Sequence, residues 1–328
     1  MMPEENQIMF EAALKKSSAL LAAMLIMAAA WSFLHLPGAN LQMVTFAFLS
    51  ASALCSIPNF NTRLNSCLQM VAASAAAQFL IGITANYPAA RIFIDLLLTF
   101  FILIAIPEKP NAIIVLLVAN LSLFAPPGFS ASLNRSMDIA VAGMVVLFIT
   151  TLNNFLIPSP PQTETKHDPY SLRDAAIISA EVATGFIIAQ LFNHEQFYWI
   201  MLTILFIHLS EAPKNPLPEL VKSRIAATPL GIFLGGFYLA CFNTTGYRMI
   251  YIIPITGTLG FFMLYLKNDY FLFSLLFMFS LTLFTDWTLG TYQRYHFAEI
   301  IVTRTLATVI GGILLLCGKN LMQKEAAS

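Results

Sequence analysis

Charged residues are scarce in this chain. Asp, Glu, Lys and Arg make up 10% of its 328 residues, whereas a soluble domain carries about 25%. Hydrophobic residues make up 58% and the mean hydropathy is +0.75. No soluble fold could bury this much apolar surface, so we expect an integral membrane protein. The net charge is zero, so the sequence offers no basic surface for nucleic acid.

The sequence also lacks the signatures of catalysis and metal binding. It contains no GxSxG, HExxH, P-loop or CxxC pattern. The four cysteines fall in or beside apolar runs without metal-ligand spacing, which is typical of small core residues: Cys55, Cys67, Cys241 and Cys317. We therefore expect no enzyme activity, no metal and no cofactor. The first apolar segment has no convincing small-residue cleavage site, so we expect no cleavable signal peptide.

Apolar stretches recur along the whole chain. Each has about 17 to 22 residues, enough to cross roughly 30 Å of hydrocarbon as a helix. We expect an all-α polytopic membrane protein with about twelve transmembrane helices. The predicted spans are 17–36, 41–57, 65–86, 89–106, 110–126 and 137–156 in the first half, and 172–192, 196–211, 224–242, 248–266, 269–286 and 298–318 in the second.

The two halves resemble each other. Met201 and Thr203 stand 158 positions after Met43 and Thr45, and a polar, Pro-rich stretch lies between the halves. This pattern predicts a first six-helix repeat over 1–157, a cytoplasmic linker over 158–171 and a second six-helix repeat over 172–328. Each half has an even number of spans, so the repeats are expected to be parallel, related by an axis along the membrane normal.

Basic residues predict the orientation. With both termini in the cytoplasm, twelve of the 17 Lys and Arg residues, including every lysine, lie on the cytoplasmic side. This set places Arg63 and Arg224 in cytoplasmic loops. All three tryptophans, Trp31, Trp199 and Trp287, then fall at the outer interface, where amphipathic rings are favoured. We expect a multi-pass protein of the inner membrane.

Ionisable residues inside predicted spans are the main functional signal, because each is costly in lipid unless it is paired or wet. Glu181 lies midway along span 172–192 and is the first candidate for proton coupling. The alternative is a structural Glu bonded to a neighbouring helix. His208 is the second candidate, as a gate or proton relay near the cytoplasmic end of its span. The alternative for His208 is an interfacial cap with Glu211.

Several arginines lie near the predicted outer ends of spans. Arg91 with Asp95, and Arg135 with Asp138, have helical spacing that favours local structural ion pairs: i,i+4 and i,i+3. Arg304 lies inside the last span and either pairs with another helix or contacts a substrate carboxylate. Arg135 and Thr203 are further substrate-binding candidates. Two glycine clusters predict close helix packing: Gly231, Gly235 and Gly236, and Gly311 with Gly312.

The second half contains recognisable motifs. They are FYWIMLT at 197–203, Arg224 followed by TPLGIFLGG, and Arg304 followed by TLATVIGGILLL. These motifs resemble the fusaric acid resistance, or aromatic acid exporter, family of bacterial inner-membrane proteins. The resemblance covers about residues 170–320 well and 12–156 weakly. Many members carry cytoplasmic domains after each six-span unit, and this chain has too few residues for them, so it resembles a compact branch.

The resemblance implies an exporter of small organic anions, above all aromatic carboxylic acids, working with a periplasmic adaptor of the membrane-fusion type. A buried Glu181 favours proton-driven transport. The alternative is a non-transporting membrane scaffold that docks an envelope or efflux partner through outer segments such as 127–136 and 287–297. The sequence leaves the oligomeric state open.

Overall fold

The described part of the chain is almost entirely helical. The computed structural model describes residues 14, 17–19, 22, 41–55, 57, 59–84, 86–121, 129–156, 170–192, 195–210, 216–242, 269–289 and 296–326. These ranges contain no β-strand. The helices are α1 (Leu41–Leu54), α2 (Phe60–Ile83), α3 (Pro88–Ala105), α4 (Lys109–Asn120), α5 (Phe129–Leu156), α6 (Leu172–Phe192), a 3-10 turn (Glu195–Tyr198), α7 (Trp199–Ser210), α8 (Leu217–Phe242), α9 (Tyr270–Leu289) and α10 (Phe297–Ala326).

The helices make this chain a multi-pass membrane protein. Five of the described helices are long and apolar enough to cross a membrane: Phe60–Ile83, Phe129–Leu156, Leu172–Phe192, Leu217–Cys241 and Phe297–Lys319. The expectation of an all-α fold is confirmed over the described residues, and α6 has both bounds of its predicted span. Spans 17–36 and 248–266 lie mostly or wholly outside the described residues. The count of twelve and the two repeats stay predictions.

Three helices begin earlier than their predicted spans, and each contains a buried arginine in its N-terminal part. Arg63 and Arg224 lie within α2 and α8 and are 3% and 2% exposed, so their placement in loops is wrong. Arg63 Nη1 donates to the carbonyl of Thr150 at 3.2 Å, and the Arg224 guanidinium lies 5.5 Å from the Phe206 ring centroid. A long apolar stem and such partners let an arginine continue a helix beyond its apolar run. Arg135 is likewise buried within α5, although the predicted span begins after it, at residue 137.

The helices form two compact units, and each unit combines segments of both predicted halves. The first unit contains residues 1–68, 139–164 and 226–297, and the second contains 69–138, 165–225 and 298–328. These units describe how the helices pack. The predicted division of the sequence into two repeats, with the first ending at residue 157, stays a prediction.

The core of the second unit is built from two short helices. Every residue from Asn111 to Asn120 in α4 and from Trp199 to Ile207 in α7 is buried. The two helices pack against each other, α4 also packs against α3, and α7 packs against α6. Twelve residues span about 18 Å at 1.5 Å per residue, so neither helix alone crosses the hydrocarbon layer. Their all-round burial explains why apolar residues cover every side of both helices.

In the first unit, α8 and α9 approach closely. A Cβ placed on Gly231 would lie 2.6 Å from Met278 Cβ and 2.7 Å from the Leu275 carbonyl oxygen. Only a glycine lets the two backbones come this near. Pro229 lies inside α8, and the helix continues on both sides of it.

One face of α5 carries an unbroken row of exposed apolar side chains. Its members recur every three or four residues, the period of one helix face. They are Phe129, Leu133, Met137, Val141, Met144, Phe148, Leu152 and Phe155. In a membrane protein such a row is the surface that contacts lipid tails.

Candidate functional site

The second unit contains a buried carboxylate and imidazole in direct contact. Glu181 lies midway along α6 and His208 lies near the end of α7. His208 Nε2 and Glu181 Oε2 are 3.1 Å apart, and both side chains are about 95% buried, at 6% and 5% exposure. The packing of α6 against α7 brings them together from positions 27 residues apart. The structure thus joins the two residues that the sequence analysis proposed separately for proton coupling.

A third helix closes over this pair. Gly318 of α10 is so close to the carboxylate that a Cβ at this position would overlap Glu181 Oε1. The same Cβ would lie 3.3 Å from Ile177 Cγ2, one turn before Glu181. The carboxyl group of Glu181 is therefore enclosed by side-chain and backbone atoms of three helices. We call the two residues the Glu181–His208 pair. Sequence reasoning missed Gly318, because a single glycine in an apolar run carries no specific signal.

Arg304 of α10 contacts the 3-10 turn and the first residue of α7. It is 1% exposed, and its Nε donates to Gln196 Oε1 at 2.9 Å. Its guanidinium lies 4.5 Å from the ring of Trp199, which is itself buried. The hydrogen bond and the cation–π contact together hold a cation away from water. The sequence allowed Arg304 to pair with another helix or to contact a substrate. The structure shows contacts of Arg304 with another element, and its contact with a substrate stays a prediction.

A second buried arginine, Arg91, packs against an aromatic wall formed by Phe186 and Tyr198. The Arg91 guanidinium lies 5.4 Å from the centroid of the Phe186 ring on α6. Phe186 in turn stacks on Tyr198, with centroids 6.0 Å apart and planes 19° apart. The Tyr198 hydroxyl accepts a hydrogen bond of 2.6 Å from Gln190 Nε2. This wall was not recognised from the sequence, because it depends on how α3, α6 and the 3-10 turn pack.

Arg91 begins a buried polar row along α3. Asp95 and Thr99 follow at successive turns, and the three residues are 8%, 4% and 0% exposed. Among the described residues, Arg91 Nε, Asp95 Oδ2 and Thr99 Oγ1 have no hydrogen-bond partner. The shared face expected for Arg91 and Asp95 is present. The Arg91 guanidinium is directed to Phe186, and a contact ion pair with Asp95 stays a prediction.

The remaining substrate candidates have different surroundings. Arg135 Nη2 donates to Ser132 Oγ at 3.1 Å and lies against Gly82 of α2, while Asp138 attracts its charge. Thr203 is 3% exposed, and a Cβ on Gly311 of α10 would lie 3.2 Å from Thr203 Cβ. Thr203 therefore packs at a helix crossing, and its role toward a substrate stays a prediction.

The two predicted glycine clusters lie at close helix contacts. A Cβ on Gly235 would come within 2.7 Å of Thr282 Cγ2, and a Cβ on Gly312 would come within 2.6 Å of Val221 Cγ1. A Cβ on Gly236 would overlap the ring of Phe297. No group of three or more His, Cys, Asp or Glu side chains that could hold a metal occurs among the residues that the structure describes.

The comparison with protein families agrees with the resemblance seen in the sequence. The family model described as fusaric acid resistance protein-like matches residues 183–318, which confirms the predicted family for this part of the chain. The match includes α6 from Ala183 onward, all of α7, α8 and α9, and α10 as far as Gly318. The chain has no match among the curated proteins or among the solved structures. The family points to membrane transport or efflux.

Proposed function

We propose that this chain, whose residues 183–318 match the fusaric acid resistance protein-like family, exports small organic anions across the bacterial inner membrane in exchange for protons. The family supports transport as the class of function. The single observation that carries the proton coupling is the Glu181–His208 pair, enclosed by α6, α7 and α10. No catalytic role is assigned to any residue.

A carboxylate beside an imidazole is suited to carry protons. Histidine changes its charge near neutral pH in its ordinary state, and a carboxylate inside a membrane commonly marks a proton path. Because the Glu181–His208 pair contacts three helices, its protonation state and their packing are physically linked. Adding or removing a proton changes the cost of burying the pair, which favours one helix arrangement over another. This linkage is what an ion-driven transporter requires.

The anion side of the proposal rests on buried cations. Arg304 beside Trp199, and Arg91 above Phe186, each place a guanidinium against an aromatic ring. A guanidinium binds a carboxylate through two parallel hydrogen bonds, and an aromatic ring adds an apolar contact for the rest of an aryl acid. We propose Arg304 as the first substrate contact. In the proposed topology both termini are cytoplasmic and these arginines lie toward the outer side, where an adaptor would receive the released anion.

The test is export of aromatic carboxylates from cells that produce the wild-type protein, with and without a protonophore. Efflux that depends on the protein and stops with the protonophore is expected. Glu181→Gln and His208→Gln should each reduce this efflux at equal protein level in the membrane. Glu219→Gln is the matched control, because Glu219 is an exposed carboxylate in the first turn of α8.

Two results would contradict the proposal in different ways. Wild-type efflux that Glu181→Gln leaves intact would remove the pair from proton coupling. No efflux of any acid, even with a periplasmic adaptor co-expressed, would favour the alternative of a membrane scaffold. The scaffold would tolerate neutral substitutions at Glu181 and Arg304 while losing function when its predicted outer segments are changed, although 129–136 of the first such segment belongs to α5.

A further inference from the structure

The buried row on α3 contains two opposite charges that are incompletely satisfied. Arg91 and Asp95 stand one turn apart and are at least nine-tenths buried. Each has a polar atom, Nε and Oδ2, without a hydrogen-bond partner among the described residues. A buried polar group without a partner costs about 1–3 kcal/mol, and more when it is charged. In native proteins such atoms usually have a partner of some kind, which can be protein, water or ligand.

The surroundings explain why the two side chains do not simply satisfy each other. The Arg91 guanidinium lies over the Phe186 ring of α6. Arg135 is near enough to repel it, while Tyr198 and Asp95 attract it. Helix α4, which packs against α3, has no titratable residue from Asn111 to Asn120. The carboxylate that α6 contributes within its buried face, Glu181, is in contact with His208. Asp95 therefore has Arg91 as its principal charged neighbour.

We propose that Arg91 and Asp95 form a proton-linked anion site, in which an organic anion binds to Arg91 while Asp95 holds a proton. This inference takes its ligand class, a small organic anion, from the proposed function. It assigns a binding role to two residues that sequence spacing alone explains as a structural ion pair. The aromatic wall of Phe186 and Tyr198 gives an attached ring a surface to stack on.

The hydrogen-bonding properties of Arg91 Nε and Asp95 Oδ2 determine which class of ligand can bind. Arg91 Nε carries a hydrogen and can donate, so it requires an acceptor. An ionised Asp95 can only accept and would repel an anion. A protonated Asp95 donates through its hydroxyl group, so one carboxylate can accept from both side chains. The bound anion in turn makes the proton on Asp95 harder to remove, because two adjacent negative charges are unfavourable in a buried site.

This reciprocity gives the sign of the pH dependence. Anion affinity is highest where Asp95 is already protonated and falls as the pH rises. The limiting slope is about tenfold in Kd per pH unit, the value for one linked proton. Replacing Asp95 by Asn keeps the size and mimics the neutral state, so it should leave high affinity at every pH. Replacing Arg91 by Gln should weaken binding at every pH.

The experiment is equilibrium binding of benzenesulfonate and of benzoate to the purified full-length protein in lipid nanodiscs, between about pH 5.5 and pH 8. Benzenesulfonate stays ionised throughout, so a change in its affinity reports protonation of the protein. Wild type should lose affinity as the pH rises, while Asp95→Asn should bind independently of pH. Asp138→Asn is the matched control, because it removes a carboxylate of the same unit that is not among the charges acting on Arg91.

The outcomes separate this site from the proposed efflux mechanism. Glu181→Gln should keep the pH-dependent binding of the wild type while losing driven efflux. The inference is overturned if folded wild type binds neither anion, if its affinity is the same at all pH values, or if Asp95→Asn retains the wild-type slope. Efflux that survives Glu181→Gln would refute the pair's role and leave the binding result standing. A thermal unfolding scan of each variant confirms that the compared proteins are folded.

Discussion

Replacing Gly318 by alanine should damage the Glu181–His208 pair while sparing the fold. The new Cβ would overlap Glu181 Oε1, so the carboxylate has to move. That oxygen is the far end of a flexible side chain, whereas Ile177 Cγ2 at 3.3 Å needs little adjustment. The overlap itself should therefore cost little stability, and the loss is limited to the contact that the moved carboxylate breaks. Moving the carboxylate breaks the 3.1 Å contact with His208.

The size of the effect follows from that contact. A hydrogen bond to a charged group contributes about 1.5–3 kcal/mol, which corresponds to roughly a ten- to hundredfold change in the step that needs it. We expect efflux by Gly318→Ala to fall by about this factor at unchanged protein level. Efflux is measured as initial rate per protein in the membrane, and stability by thermal unfolding in detergent.

A matched glycine variant makes the result interpretable. In Gly312→Ala the new Cβ would lie 2.6 Å from Val221 Cγ1, away from the pair, so this change should lower the unfolding temperature. Its efflux per folded protein should stay near that of wild type. If Gly318→Ala transports normally, or if it unfolds while Gly312→Ala does not, the enclosed pair is not what limits transport and the reasoning is refuted.

Two further predictions concern stability. Gln196→Leu removes the acceptor of the Arg304 Nε hydrogen bond and should lower the free energy of unfolding by about 1–3 kcal/mol. Gln196→Glu keeps an acceptor and should recover most of the lost unfolding temperature. Equal unfolding temperatures of the two variants would show that this bond does not cause the destabilisation. Gly231→Ala directs a Cβ to within 2.7 Å of the Leu275 carbonyl oxygen and should destabilise by about 1–3 kcal/mol through overpacking. Ala240→Val, at an exposed position of the same helix, is its control and should leave thermal unfolding unchanged.

Hydropathy predicted the helices better than it predicted their ends. The bounds of α6 agree with the predicted span 172–192. The starts of α2 and α8 do not: α2 begins at Phe60, before the buried Arg63, and α8 begins at Leu217, before the predicted start of its span at Arg224. A sequence window scores an arginine as polar, whereas its aliphatic stem and its partners on other helices decide whether it lies in a helix or a loop.

The candidate site was predictable residue by residue but not as an arrangement. Glu181 and His208 stand out because each is ionisable within an apolar stretch. Their contact depends on the rotation of α6 against α7, which hydrophobic periodicity cannot fix when a helix is buried all round, as α7 is. Gly318 and Phe186 were not recognised for the same reason. Their significance lies in the atoms that they face.

The exposed row on α5 has a consequence for the lipid around the protein. From Phe129 to Phe155 the row covers 26 residue steps, about 39 Å along the helix axis. A typical hydrocarbon layer is about 30 Å thick, so this helix is subject to hydrophobic mismatch. It fits by inclining by about 40° or by thickening the bilayer beside it, and each costs fractions of a kcal/mol per ångström. Acyl-chain length thus becomes a variable that acts on this protein from outside, and bilayers of longer lipids should suit it better than short-chain ones.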